Sequence, residues 1–179
     1  MDKTFITIED ICRYRPVSKL IPVERMQPFI RESQVQDLLP VLGDTLYYDF
    51  LDKFDNTASA MYTKYQDLLG GKLYTPSGYS TSIIYSGVIP MLAYFSLARY
   101  YQNSQVNATA YGLVQKNTEY GTQISNQGVQ TSVEYLRSLG ISFQEGVVRF
   151  LSNNNTDYPL FSTGVKGEQN DLGVKFFSV

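Results

Sequence analysis

Between Val129 and Phe150 the stripe positions recur in alternating steps of four and three: Val129, Val133, Leu136, Gly140, Phe143, Val147 and Phe150. A strand would repeat every two residues, so this spacing predicts an amphipathic helix with one buried face. Gly140 falls on that face, where a helix-interior glycine costs about 1 kcal/mol relative to alanine. Either one continuous helix meets a closely packed neighbour at Gly140, or two helices break at Leu139–Gly140. Asn153-Asn154-Asn155 then stops the helix.

The same periodicity recurs upstream. Thr7 is a predicted N-cap, with Asp10 three residues on and Ile6 and Ile11 placed as a hydrophobic staple; Arg15-Pro16 should end this short helix. Cys12 shares an apolar face with Ile8 and Ile11 and is expected to be buried. Pro22 sits well in the first turn of a second helix carrying Val23, Met26, Phe29 and Ile30, with a kink or fresh start at Pro28. Val35, Leu38, Leu39 and Leu42 continue the stripe until Pro40 and Gly43 end it. A helix from Asp44 or Thr45 carries Leu46, Tyr47, Phe50, Leu51 and Phe54. Asp55-Asn56-Thr57 caps the next, which carries Ala58, Met61, Tyr62, Tyr65, Leu68 and Leu69 and stops at Gly70-Gly71. Thr75-Pro76-Ser77-Gly78 reads as a turn or loop. From Ser82 a long central helix is expected through Ile84, Val88, Met91, Leu92, Phe95 and Ala98, bent at Pro90.

Two segments depart from this pattern. Gln102 to Gln127 is dominated by Asn, Gln, Thr, Ser and Gly, and is expected to hold an exposed loop or β-hairpin arm at about 103–126. A polar excursion of that length inside a compact domain is functional or disordered. Its predicted contact residues are Tyr111, Gly112, Leu113, Val114 and Lys116. After Tyr158 the chain is expected to leave the domain as an extended tail, 159–179, with Leu172, Val174, Phe176, Phe177 and Val179 as contact residues. That tail is too short for its own core and too apolar for a pure linker. Docking on a neighbouring subunit is favoured over folding back on its own domain. The fold class read from the chain is therefore all-α: a small helical domain over 1–158, an arm, and a tail.

Composition narrows the chemistry. The 179 residues contain no His, no Trp and one Cys. Ser/His and Cys/His nucleophile pairs, imidazole metal ligands, an internal disulfide and a thiolate zinc site are thereby excluded. No catalysis and no cofactor or metal are expected. Fifteen basic residues against 17 acidic ones give no general affinity for nucleic acid. Fifteen Tyr and ten Phe favour extensive contact surfaces between proteins. The run Ile83 to Ala98 is broken by Ser86, Gly87, Pro90 and Ser96, so no membrane span is expected. The start of the chain carries no signal-peptide pattern, which implies assembly in a cytoplasm.

Motifs of the kind that carry chemistry elsewhere read better here as structure. Gly70-Gly71-Lys72 lacks the first glycine of a phosphate loop, and Leu73 stands where Ser or Thr would hold magnesium. Asp49, Asp52 and Asp55 recur at threes but read as a solvated acidic face. Arg13, Arg15, Lys19, Arg25 and Arg31 could touch phosphates, and a helical nucleic-acid-binding regulator is the reading they would support; Glu9, Asp10, Glu24 and Glu32 interrupt them.

Four short segments, in order, give a more specific indication: Ile30-Arg31-Glu32-Ser33-Gln34 running to Leu42-Gly43-Asp44, Tyr85-Ser86-Gly87-Val88-Ile89-Pro90, Tyr111-Gly112-Leu113-Val114-Gln115-Lys116, and Tyr158-Pro159. Their sequence and order resemble the head–tail connector (head-completion or adaptor) proteins of tailed phages, above all those of phages of Bacteroidetes, including the crAss-like group. The chain departs from that pattern in its longer Asn/Gln-rich middle. The resemblance implies a small helical bundle that forms a dodecameric ring beneath the portal and continues the DNA channel from capsid to tail. It implies as partners sister copies, the portal protein and an adjacent neck or tail ring. Packaged DNA would pass through without sequence-specific binding, and the protein would reside in the virion neck. A stopper or tail-completion ring is the alternative within the same class.

Overall fold

The computed structural model describes residues 3–16, 21–76, 78–103, 106–109, 112–115 and 125–161. The chain is mainly α-helical: α1 (Ile8–Tyr14), α2 (Val23–Ser33), a π-helical turn (Gln34–Leu38), α3 (Leu39–Leu42), α4 (Asp44–Lys53), α5 (Tyr62–Gly70), α6 (Val88–Asn103) and α7 (Asn126–Asn153). Two antiparallel hairpins interrupt the helices. One pairs β1 (Lys72–Tyr74) with β2 (Ile83–Tyr85), and the other pairs β3 (Val106–Thr109) with β4 (Gly112–Gln115). Neither β1 nor β2 belongs to the all-α expectation.

Helix α6 is the centre. Val88, Met91, Leu92, Ala93, Leu97 and Ala98 are fully buried, and the helix packs most extensively on α7, then on α2 and α1. Helix α7 runs unbroken through Gly140, which settles the choice between one helix and two. The ring of Phe95 occupies the space a side chain would need there: a Cβ on Gly140 would lie 2.9 Å from Phe95 Cε1. Val133, Leu136, Val147 and Phe150 form the buried stripe as expected.

At the start of the chain the predicted capping box is present. The Thr7 backbone N–H donates to Asp10 Oδ2 at 2.9 Å, and Thr7 Oγ1 accepts from the Asp10 backbone. Ile6 and Ile11 are both buried, whereas Cys12 is only half-buried. Its position points partly off the α1 face that Ile11 anchors.

Helix α2 continues through Pro28 rather than restarting. Pro28 is exposed, so water can satisfy the carbonyl left without its N–H partner. The π turn comes just before Pro40, which has no N–H to give and whose ring crowds the carbonyl four residues back. The added residue rotates the apolar stripe. Val35 becomes 55% exposed, and Gln34 turns inward at 3% exposed, where its Oε1 accepts from the Phe5 backbone N–H at 2.7 Å. Val23, at the first turn of α2, is exposed as well.

The helix expected from Asp55-Asn56-Thr57 begins later, at Tyr62. Asn56 instead makes a local turn, its Oδ1 accepting from the Ala58 N–H at 3.1 Å. The helix expected from Ser82 begins at Val88, so Pro90 falls in the first turn of α6, where a proline costs no hydrogen bond, and bends nothing.

At the other end, Leu160 and Phe161, expected to leave the domain with the tail, stay on it. Tyr158 is buried and donates to the Lys64 carbonyl oxygen at 2.6 Å, Leu160 packs on the core, and Phe161 is 7% exposed. Residues 162–179, with the predicted tail contacts Leu172, Val174, Phe176, Phe177 and Val179, lie outside the described residues.

Candidate functional site

Between α5 and α6 the chain is drawn into a hairpin with a rigid base and an apolar outer face. Gly71 ends α5 at φ +89° and Gly87 precedes α6 at φ +85°, a backbone region that non-glycine residues rarely adopt. A Cβ on Gly71 would lie 2.2 Å from the Tyr85 carbonyl oxygen, and one on Gly87 would lie 2.3 Å from the Leu69 carbonyl oxygen. Only two glycines let the strands entering and leaving the hairpin touch in this way.

The strand register assigns the faces. Leu73 pairs with Ile84, and Tyr74 with Ile83. Tyr74 and Tyr85 point inward onto Phe150 of α7. Tyr85 stacks on it with ring centroids 4.0 Å apart and planes 3° apart, and Tyr74 meets it edge-on at 5.1 Å. Tyr85 also donates to the Leu68 carbonyl oxygen at 2.9 Å. Burial pushes the Tyr85 hydroxyl well above its ordinary pKa, with the nearby Tyr158 and Tyr74 adding to the rise, so it stays a neutral donor. The alternate positions face out: Leu73 is 64% exposed and Ile84 is 80% exposed, opposite one another on the same side of the ribbon. Tyr79, in the loop between the strands, is exposed too.

Beside this face lies a groove of about 190 Å³ between β2 and the second half of α7. Ile83, Ile84 and Phe143 give it apolar walls, Ser142 and Gly146 lie along α7, and Arg149 stands on its rim. A Cβ on Gly146 would meet nothing within 4 Å. Gly140 therefore has a packing reason within the chain, and Gly146 has none among the described residues.

The polar clusters elsewhere are internal ties. Arg99 on α6 holds the π turn, donating to Asp37 Oδ1 at 3.1 Å and to Gln36 Oε1 at 3.0 Å. Burial raises the Asp37 pKa above its ordinary value, and the hydrogen bond and charge of Arg99 oppose that rise without cancelling it. Asp49 receives hydrogen bonds from Lys53 and Tyr65, while Asp55 pairs with Lys3 at 2.6 Å. Of the aspartates spaced at threes, Asp49 and Asp55 are thus tied to separate partners, and the Asp52 backbone carbonyl accepts from Lys3 Nζ at 3.2 Å. Among the described residues, no three His, Cys, Asp or Glu side chains gather as a metal site. Lys72 of the rejected phosphate-loop pattern pairs with Asp67 at 2.9 Å. Of the basic residues near the start, Arg13 pairs with Asp10 at 3.2 Å and Arg15 lies over the Tyr135 ring at 5.2 Å; Lys19 lies outside the described residues. Among the described residues no helix is long and apolar enough to cross a membrane.

The sequence-predicted arm residues fare unevenly. Gly112, Leu113 and Val114 fall in β4, paired with Thr109, Ala108 and Asn107, while Tyr111 and Lys116 lie outside the described residues. The tyrosines divide between core and surface: Tyr47, Tyr65, Tyr74, Tyr85 and Tyr158 are buried, and Tyr48, Tyr79 and Tyr135 are exposed. Sequence reasoning missed Leu73, Ile84, Gly146 and Arg149. The signal for the first two was present: Lys72-Leu73-Tyr74 and Ile83-Ile84-Tyr85 are short strand-forming runs bounded by Gly71, Thr75-Pro76-Ser77-Gly78 and Ser86-Gly87.

Residues 38–170 match a family described as a family of unknown function (DUF6712), a span that includes the hairpin, α6 and α7. Comparison with curated proteins finds no match, and comparison with solved structures finds none. The match covers well over half of the 179 residues, and the chain belongs to the DUF6712 family.

Proposed function

We propose that this protein is a structural subunit of a tailed-phage neck, one of a ring of copies that joins the portal to the tail and continues the DNA channel. The observation that carries this reading is the outward pair Leu73 and Ile84, held on a hairpin whose base is locked by Gly71 and Gly87. Burying a Leu or Ile side chain is worth about 1.5–3 kcal/mol, so a rigid ribbon that leaves two of them in water is built to be covered. The ordered segments shared with head–tail connector proteins support the identity of the assembly.

In this reading the helices form a small bundle as the body of each subunit. A ring closes when one surface of each copy meets a different surface of the next. The β3–β4 hairpin, with Tyr111 and Lys116, is the arm that faces the channel or an adjacent ring. Residues 162–179 are an extended tail that contacts a neighbouring copy or the portal. The protein performs no chemistry on a substrate.

Imaging of necks reconstituted with and without the chain tests this. The expected result is a ring layer beneath the portal that is lost when the chain is omitted. Necks that are unchanged by its omission would contradict the proposal.

A further inference from the structure

We infer that the groove between β2 and α7 receives residues 172–176 of a second copy of this chain, with the Phe176 ring seated over Gly146. This rests on the self-assembly reading above and names the partner of its surface.

The first support is the shape of the receptor. A groove of about 190 Å³ is comparable to an apolar cavity of about 150 Å³ that takes up benzene, which is the ring of a phenylalanine. The second is Gly146. A glycine in a helix interior lowers stability relative to alanine, and here no atom of the described chain requires it. An incoming group that lies against the helix backbone does require it. The third is the strand edge. The β1–β2 sheet has two strands only, so each strand leaves its outer edge unpaired among the described residues, and an extended peptide can add there while its alternate side chains enter the groove.

The segment has matching chemistry. Leu172, Val174 and Phe176 alternate with Gly173 and Lys175, which is the period of a half-buried strand. The period of two puts Leu172 and Val174 on the same side of the added strand as Phe176, the side of the ribbon on which Ile83 lines the groove. Asp171, just before Leu172, supplies a negative charge for Arg149, which makes no ion pair among the described residues. Residues 162–172 span up to roughly 35 Å when extended, which is long enough to pass from one subunit to the next.

Single-cysteine chains in a Cys12→Ser background test the inference. Gly146→Cys and Phe176→Cys chains are mixed under mild oxidation, and a disulfide-linked dimer of the two is expected. No dimer, or a disulfide that forms only within a chain carrying both substitutions, overturns the inference. Independently, Gly146→Phe fills the groove from the receptor side and is expected to weaken self-association at least tenfold while melting as a folded protein. A folded Gly146→Phe chain that associates like the wild type overturns it. If the wild type assembles and these results fail, this inference falls and the assembly reading stands; if the wild type never assembles, both fall.

Discussion

Gly71 and Gly87 lie back to back at the base of the β1–β2 hairpin, each filling the space where the other strand's backbone would meet a side chain. Gly78, in the same hairpin, shares their positive φ at +83°, but a Cβ there would meet nothing within 4 Å. The three positions separate conformational strain from steric clash. Gly78→Ala should cost only the left-handed backbone penalty, about 1–2 kcal/mol. Gly87→Ala adds a clash with backbone at 2.3 Å and should cost about 3 kcal/mol or more. Urea melts of the two variants check this; equal losses would refute the locked base.

Gly140 and Gly146 lie on one helix and should respond with opposite signs. Gly146→Ala removes a helix-interior glycine without touching a neighbour, and should stabilise the chain by about 0.5–1 kcal/mol. Gly140→Ala makes the same propensity gain but drives a methyl into the Phe95 ring at 2.9 Å. Overpacking of that kind costs about 1–3 kcal/mol, so a net loss is expected. Thermal unfolding of the pair provides the comparison.

Ser33 and Ser96 face each other between α2 and α6 with their hydroxyl oxygens 2.8 Å apart, and both are fully buried. Each also reaches a carbonyl of its own helix, Ser33 to Ile30 at 2.8 Å and Ser96 to Leu92 at 2.7 Å. Either single change to Ala should cost about 1 kcal/mol. The double change leaves no hydroxyl without its partner and should cost less than the sum of the two, by about 0.5–1 kcal/mol. A double-mutant cycle measures that difference, and strict additivity would show the pair to be uncoupled.

Two aspartates give acid stability opposite slopes. Burial raises the Asp49 carboxyl, but hydrogen bonds from Lys53 and Tyr65 and the Lys53 charge outweigh it and leave the pKa below its ordinary 3.8. Its stabilising contribution is present above that value and is lost as pH falls through the folded-state pKa. Asp37 is raised above 3.8, chiefly by burial. Its contribution is present below 3.8 and is lost as pH rises through its folded-state pKa. Asp49→Asn should therefore flatten the loss of stability below pH 4, whereas Asp37→Asn should shallow the fall in stability as pH rises above about 4. Denaturant midpoints between pH 2 and 6 would reveal either sign being wrong.

What could be read from the chain follows from element length. Helix α7 spans 28 residues, and its three-and-four spacing is repeated often enough to be unmistakable. The cap at Thr7 and the stop at Gly71 are local chemistry, and both appear where expected. Strands β1 and β2 are three residues each, too short for a period to declare itself, and Ile84 was drawn into the stripe of the helix that follows. The exposure of Val35 came from one added residue in a π turn, which no spacing rule anticipates. Phe161 ended in the core because Tyr158 finds the Lys64 carbonyl, a contact between residues 94 apart in sequence. The site suffered most, since its surface is defined by the register of two short strands and by a glycine on the α7 wall of the groove.

Native mass spectrometry of the purified chain beside a Leu73→Lys/Ile84→Lys double variant tests the central claim most directly. The outward positions make no core contact, so the variant should fold as the wild type does. A closed oligomer of defined copy number for the wild type, with monomer alone for the variant, is the predicted result. A wild type that stays monomeric at every concentration, or a variant that assembles equally well, would contradict the account.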